Sequence, residues 1–353
     1  MGGIFALLVI LVYIQFRTLK SFEWSTLTHT FDSIRWSRLV LAVALTYGAY
    51  VTRAFRWSVF LRPTKPATPA QMLPAQFIGF TSVAILGRLG EFVRPFLVAR
   101  RQQVTFTSQL AVYTVERVFD LLAAAGIIAV TLSVSPSVRN LPYHEQFRRA
   151  GYIGIAAALF LALIAVAIRF SGQKIADLAD RSFGVVSKKF AHGIHDKILA
   201  FSYGLDAIAG WGALLEALVY SFLTWGLIAL AYVVVVHSFT VRELAAIPAA
   251  QTILLMAGSL FGSFAQLPAI GGGSQVAIIY VLTDVLRVGP EAATACAITL
   301  YVVTFLSVIP AGLAFARVEQ VSLRNVARES EMEEELEASS QGPEDTRQAH
   351  SLP

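Results

Sequence analysis

The sequence predicts an all-α, polytopic transmembrane helix bundle of about 6–8 membrane segments, counting two re-entrant hairpins. Three observations predict it. Of 353 residues, 56% are hydrophobic and 14% charged, and the mean hydropathy is +0.63, far from a soluble globular average. The apolar residues fall in runs close to the ~20 that a spanning helix needs. Two of those runs are broken by glycine, at GRLGE (87–91) and AIGGGSQ (269–275).

The formal charge is +5, but Lys and Arg concentrate in connecting loops, where they act as topology signals rather than a nucleic-acid surface. Cys296 is the single cysteine and lies in an apolar run, so no disulfide framework and no Cys/His metal site is expected. No P-loop, GxSxG, HExxH or dinucleotide fingerprint stands in a credible context. The sequence therefore predicts no metal, no cofactor and no enzyme activity.

In chain order, residues 4–16 give a short first helix. They lack the basic n-region and A-x-A site of a signal peptide, so the helix is expected to be retained. Residues 37–58 give a second helix ending in Arg53, Arg56 and Trp57, which read as an interfacial anchor. Residues 67–87 are uncharged but contain Pro69, Pro74 and Gly79. Their apolar core, Phe77 to Leu86, is short enough to suit a half-helix of a re-entrant hairpin. Residues 108–132 make a third helix with Glu116, Arg117 and Asp120 in its first half, 133–149 a polar loop, and 150–168 a fourth helix.

After Arg169 the pattern changes. Basic residues alternate with Phe190, Ile194, Ile198, Phe201, Leu205 and Ile208 at helical spacing, which predicts an amphipathic cytoplasmic linker over 170–210. Residues 213–236 form a fifth helix. From Leu244 to Thr283 no residue is charged, a length of roughly 60 Å if helical, and Pro268 with Gly271, Gly272 and Gly273 breaks it into two crossings or a second hairpin. Residues 292–316 make the last helix, closing a membrane domain over 1–316. The tail 317–353 is acidic and low in apolar content, so disorder is expected there.

The basic loops at 53–65, 94–101, 169–200 and 317–328 are expected on the cytoplasmic side of the cell's inner membrane, as are both termini. That places entry and exit of 66–93 on one side. The halves, about 1–132 and 150–316, then have three crossings and one hairpin each and run in opposite orientation, as in an inverted repeat. Sliding the chain by 184 residues sets Gly87 on Gly271, Gly90 on Ser274 and Glu91 on Gln275.

Ionisable groups at membrane depth cost ~2.5–3.5 kcal/mol each, so they pair, face a cavity and mark a substrate path. Arg88, Glu91, Arg94, Glu116, Arg117 and Asp120 are such groups. Glu116 and Asp120 share one helix face. The arginines and helix termini offer donors to a phosphate, and the carboxylates offer acceptors to a cation. With Gly271, Gly272, Gly273 and Gln275 from the second break, they make the candidate substrate-binding set. A plainer reading, in which the six charged residues pair only to hold the hairpin to the third helix, is compatible with it.

GRLGEFVRPFL (87–97), VERVFDLLA (115–123), PAIGGGSQ (268–275) and TRAFRW (52–57) together resemble the lysylphosphatidylglycerol synthase transmembrane region family, also called flippase-like domain proteins. The resemblance spans about residues 4–316 and implies movement of a lipid between leaflets. It also implies that Arg88, Glu91, Arg94, Glu116, Arg117 and Asp120 occupy the family's charged positions. Best-understood members carry a soluble aminoacyl-tRNA-dependent transferase. Here the chain ends in a short acidic tail, so synthase activity is expected to be absent. GGGSQ stands where a glycine-rich element with a downstream glutamate is expected. The reading that follows is translocation of a phospholipid or lipid-linked precursor through a polar cavity. The alternatives are an accessory lipid-binding subunit of a lipid or glycan transferase, and a membrane-embedded lipid-modifying enzyme.

Overall fold

In the computed structural model, residues 23–184, 199, 202, 210–263, 266–267 and 271–319 are described. The first helix expected at 4–16, most of the linker and the tail past 319 lie outside them. Helix α1 (Trp24–Asp32) leads into α2 (Trp36–Leu61), then α3 (Pro69–Leu86), a 3-10 turn at Gly87–Glu91 and α4 (Val93–Gln102). They are followed by α5 (Phe106–Val134), a short α6 (Pro136–Arg139), α7 (His144–Gly184) and α8 (Gly210–Val236). The rest comprises α9 (Arg242–Ala245), α10 (Ala249–Gly262), α11 (Gly273–Tyr280), α12 (Pro290–Tyr301) and α13 (Val308–Val318). The architecture is all-α. The one β element among the described residues is a two-residue antiparallel ladder, β1 (Gln266–Leu267) on β2 (Gly271–Gly272).

Local chemistry sets the helix ends. Thr68 accepts from the Gln71 amide while the Gln71 side chain accepts from the Thr68 amide, closing a capping box at the start of α3. At its other end Gly87 takes φ +68°, a left-handed value that costs a residue with a Cβ. Thr105 caps α5 through the Ser108 amide. Two π turns, Val281–Val285 after α11 and Val302–Leu306 after α12, widen their helices by one residue.

Helix α2 packs most extensively on α8, α5 on α7, and α3 on α13. Small residues permit the closest approaches, the expected device where lipid removes any hydrophobic drive between helices. A Cβ on Gly151 would lie 3.2 Å from Ala129, and one on Gly154 3.2 Å from Ala125. On Gly312 it would collide with Thr81, whose hydroxyl donates to the Val308 carbonyl. One apolar core joins α8, α10, α11 and α12, and a second surrounds Trp57 between α2, α3, α4 and α5. Large apolar side chains such as Val134, Phe160 and Leu163 lie exposed on the outside, as in a protein solvated by lipid.

Several expectations are corrected by these bounds. Four helices among the described residues, Pro69–Leu86, Phe106–Val134, Gly210–Val236 and the continuous Pro290–Val318, are long and apolar enough to cross a membrane. Residues 69–86 form one 18-residue helix, about 27 Å long, longer than the Phe77–Leu86 core read from the sequence. The polar residues of α3, Gln76, Thr81 and Ser82, are fully buried. The polar loop expected over 133–149 instead holds α6 and the first turn of α7. The change of pattern after Arg169 appears as a break in α7 at Ser171, φ −131°.

Candidate functional site

The charged residues meet where α2, α4, α5 and α8 converge. Arg53 and Arg56 are three apart on α2 and so share a face. Glu116 and Asp120, four apart on α5, look toward them. Arg56 Nη1 donates to Asp120 Oδ1 at 2.8 Å and to Ser221 Oγ at 2.6 Å, and Nη2 to Glu116 Oε1 at 2.5 Å. Arg53 Nη1 donates to Asp120 Oδ2 at 3.0 Å. Arg94, on α4, pairs with Glu116 Oε2 and donates to the Gln76 side chain at 3.0 Å. Trp225 Nε1, from α8, donates to Asp120 Oδ1 at 3.2 Å.

Burial is nearly complete. Arg56 and Glu116 are 0% exposed, and Arg53, Arg94 and Asp120 at most 5%. Charges removed from solvent to this degree persist only when paired and hydrogen-bonded. Aromatic faces flank two of the guanidinium groups: Arg94 lies 5.1 Å from the Phe80 and Tyr113 ring centres, and Arg53 5.0 Å from Phe80.

Arg117 differs from the others. It pairs with Asp120 at 3.1 Å, yet 43% of its side chain is exposed, and that surface faces two chambers. The larger, about 490 Å³, is lined by Glu91, Arg117, Asp120 and Trp225 and by the apolar Leu121, Ala124, Ile128, Leu132, Leu254 and Ala257. The smaller, about 290 Å³, includes Arg53, Arg117, Ser274, Gln275 and Tyr301 in its wall. Glu91, on the 3-10 turn, accepts a hydrogen bond from the Tyr113 hydroxyl. Among the described side chains of this region, four guanidinium groups (Arg53, Arg56, Arg94, Arg117) meet three carboxylates (Glu91, Glu116, Asp120), a surplus of one positive charge.

A sequence model of the lysylphosphatidylglycerol synthase TM region family matches residues 3–312. The chain belongs to this family. No curated protein and no solved structure gives a significant match. Membership in the lysylphosphatidylglycerol synthase TM region family makes the chain a multi-pass membrane protein of lipid handling.

Against the residues singled out in the sequence, this member of the family gathers Glu91, Arg94, Glu116, Arg117 and Asp120 in one cluster. Arg88 sits on the 3-10 turn, and its side chain lies outside the described residues. The second break borders the smaller chamber. There Gly272 takes φ +122°, Gly273 opens α11, and Gln275 Oε1 accepts from the Gly272 amide at 2.7 Å. Gly271 pairs with Leu267 in the ladder. The anchor reading of Arg53, Arg56 and Trp57 is overturned, since all three are buried and the two arginines hold the α5 carboxylates. Their three-residue spacing inside an apolar run was the available signal. Ser221 and Trp225 carried none, because each is an ordinary residue of a membrane helix.

Proposed function

We propose that the protein translocates an anionic phospholipid, or a phosphate-linked lipid precursor, between membrane leaflets. The single observation that carries this reading is the mixed lining of the larger chamber, charged and apolar together. A half-exposed arginine, Arg117, lines it together with the apolar residues that α5 presents from Leu121 to Leu132. That apolar wall runs for about 16 Å of helix, most of the length of an acyl chain. A phosphate at Arg117 would meet a guanidinium fixed by Asp120 and a region with a surplus positive charge, while its chain stays in an apolar wall. Lipid headgroups cross slowly because a bare charge must enter ~30 Å of hydrocarbon. A fixed counter-charge inside the protein lowers that barrier.

In this reading the breaks at Gly87–Glu91 and Gly271–Gly273 are the tips of two re-entrant hairpins in oppositely oriented halves, with the protein in the inner membrane and both termini cytoplasmic. A lipid- or glycan-modifying transferase that supplies the lipid is the partner such a protein would serve.

Leaflet exchange of tail-labelled phosphatidylglycerol in liposomes reconstituted with the full chain tests the proposal. Wild type is expected to exceed protein-free liposomes, and Arg117→Gln to lose at least about tenfold, the weight of one charge-assisted contact. Arg62→Ala, whose partner is the exposed Glu216, is expected to leave exchange unchanged. Exchange no faster than in protein-free liposomes would favour the accessory-subunit reading.

A further inference from the structure

The three carboxylates of the charged cluster are held differently. Glu116 is enclosed by Arg56 and Arg94, and Asp120 by Arg53 at 3.0 Å, Arg56 at 2.8 Å and Arg117 at 3.1 Å. Neutralising either would strand guanidinium groups without a counter-charge. Glu91 stands apart. It is half-buried, and among the described side chains its carboxylate accepts one hydrogen bond, from Tyr113 Oη at 2.5 Å, and makes no ion pair. A proton can therefore come and go at Glu91 without dismantling the cluster.

Its position links that proton to the phosphate. A Cβ on Gly90 would lie 2.3 Å from the Ser82 backbone, so the turn that carries Glu91 lies directly on α3. Glu91 and Arg117 line the larger chamber together, and both line a third chamber of about 70 Å³ with Phe80, Arg94 and Tyr113. The Arg117 guanidinium lies 4.8 Å from the centre of the same Tyr113 ring whose hydroxyl Glu91 holds. A phosphate at Arg117 thus arrives beside a carboxylate, and like charges repel more strongly here than in water. The titratable and charged neighbours of Glu91 are Arg94 on α4 and Tyr113, Arg117 and Asp120 on α5, while α3, α7 and α10 bring none to these chambers. The side chain of Arg88, on the same turn, lies outside the described residues. Two guanidinium groups so near repel a metal cation, whereas a proton neutralises the carboxylate where it stands.

We propose that Glu91 is a proton-binding site linked to the phosphate site at Arg117, so that an anionic lipid and one proton cross the membrane together. The proposal rests on the translocation reading and adds its driving ion. The proton passes from water on one side to the Glu91 carboxylate and leaves to water on the other. With a phosphodiester of one negative charge, no net charge moves. By linkage, phosphate strengthens proton binding by the same factor as the proton strengthens phosphate binding.

The test follows exchange of tail-labelled phosphatidylglycerol, in liposomes reconstituted with the full chain, from about pH 5 to about pH 9. The phosphodiester stays anionic throughout, and the described residues of the two chambers include no histidine. Wild type is expected to exchange at least about fivefold faster at the acid end, the low end of ordinary coupling between two sites. A pH gradient is expected to gather the lipid in the leaflet facing the alkaline side. Glu91→Gln keeps an acceptor for Tyr113 but binds no proton, so its exchange is expected to be level across the range and blind to the gradient. Tyr113→Phe removes the donor that favours the ionised carboxylate, and is expected to move the profile about one pH unit toward alkaline. A merely structural role would change the rate and leave the profile where it was, so this variant decides the matter if Glu91→Gln does not fold. Exchange that is equally fast at both ends in wild type, or that keeps its pH dependence in Glu91→Gln, would overturn the proton site and leave translocation standing. If no lipid exchanges, co-transport falls with translocation, and binding alone tests the linked site. Lysophosphatidylglycerol should then raise the melting temperature of the purified protein in detergent more at acid than at alkaline pH, a difference that Glu91→Gln abolishes. Equal stabilisation at both, or none at either, would overturn the linkage.

Discussion

The two helix breaks solve one problem with different chemistry. Each lies between two apolar helices and turns at a glycine with positive φ, Gly87 in one and Gly272 in the other. The first lies beside ions: Glu91 holds Tyr113, and Arg94, four residues after Gly90, holds Glu116 and Gln76. The second holds itself together with neutral groups, a two-residue ladder and the Gln275 cap on the Gly272 amide. Charge is thus concentrated on one side of the shared site. A buried ionic anchor fixes geometry strongly but tolerates no missing member, whereas a backbone ladder with one side-chain cap gives way in small steps.

The largest test of this contrast is Asp120→Ala, which leaves Arg53, Arg56 and Arg117 short of a carboxylate. The expected loss is about 3–5 kcal/mol, read as a large drop in the thermal midpoint in detergent or as failure to accumulate. Retention of wild-type stability would mean that solvent reaches the cluster and that the first break is not held by buried charge.

Next in size are Gly87→Val and Gly272→Val. Each forces a branched side chain into a left-handed backbone, at about 1–3 kcal/mol by strain alone. Equal losses in the two would show that the breaks share a backbone requirement despite their different partners. A neutral Gly272→Val would show that the second break relaxes freely, and would sharpen the difference.

The smallest effect belongs to Gln275→Leu. Removing the acceptor of the Gly272 amide is expected to cost about 1 kcal/mol, measured as a small shift of the same midpoint with the fold intact. A loss comparable to that of Asp120→Ala would break the comparison, because it would make the second break as intolerant as the first.

The sequence by itself determined the membrane class, the approximate helix runs, both glycine breaks and five of the charged residues that share the described cluster. These are legible because bilayer thickness sets run length and because charge in an apolar run is costly wherever it points. The repeat drawn from the sequence placed Gly87 on Gly271, whereas the glycine with the matching positive φ is Gly272, one residue further on. Sequence spacing does not reveal which glycine takes that conformation.

Tertiary structure alone decided that Arg53 and Arg56 are buried partners of α5 rather than an interfacial anchor, and that Gln76, Thr81 and Ser82 of α3 are enclosed. It also decided that Arg117 differs from its neighbour Glu116, one facing the chambers and the other enclosed. The physical reason is the solvent. In water an apolar stripe marks the face that packs, but lipid is as apolar as a protein core, so hydrophobic pattern does not tell which face of a membrane helix meets another helix. Only the packing of α2 against α8 and of α4 against α5 settles which charges meet.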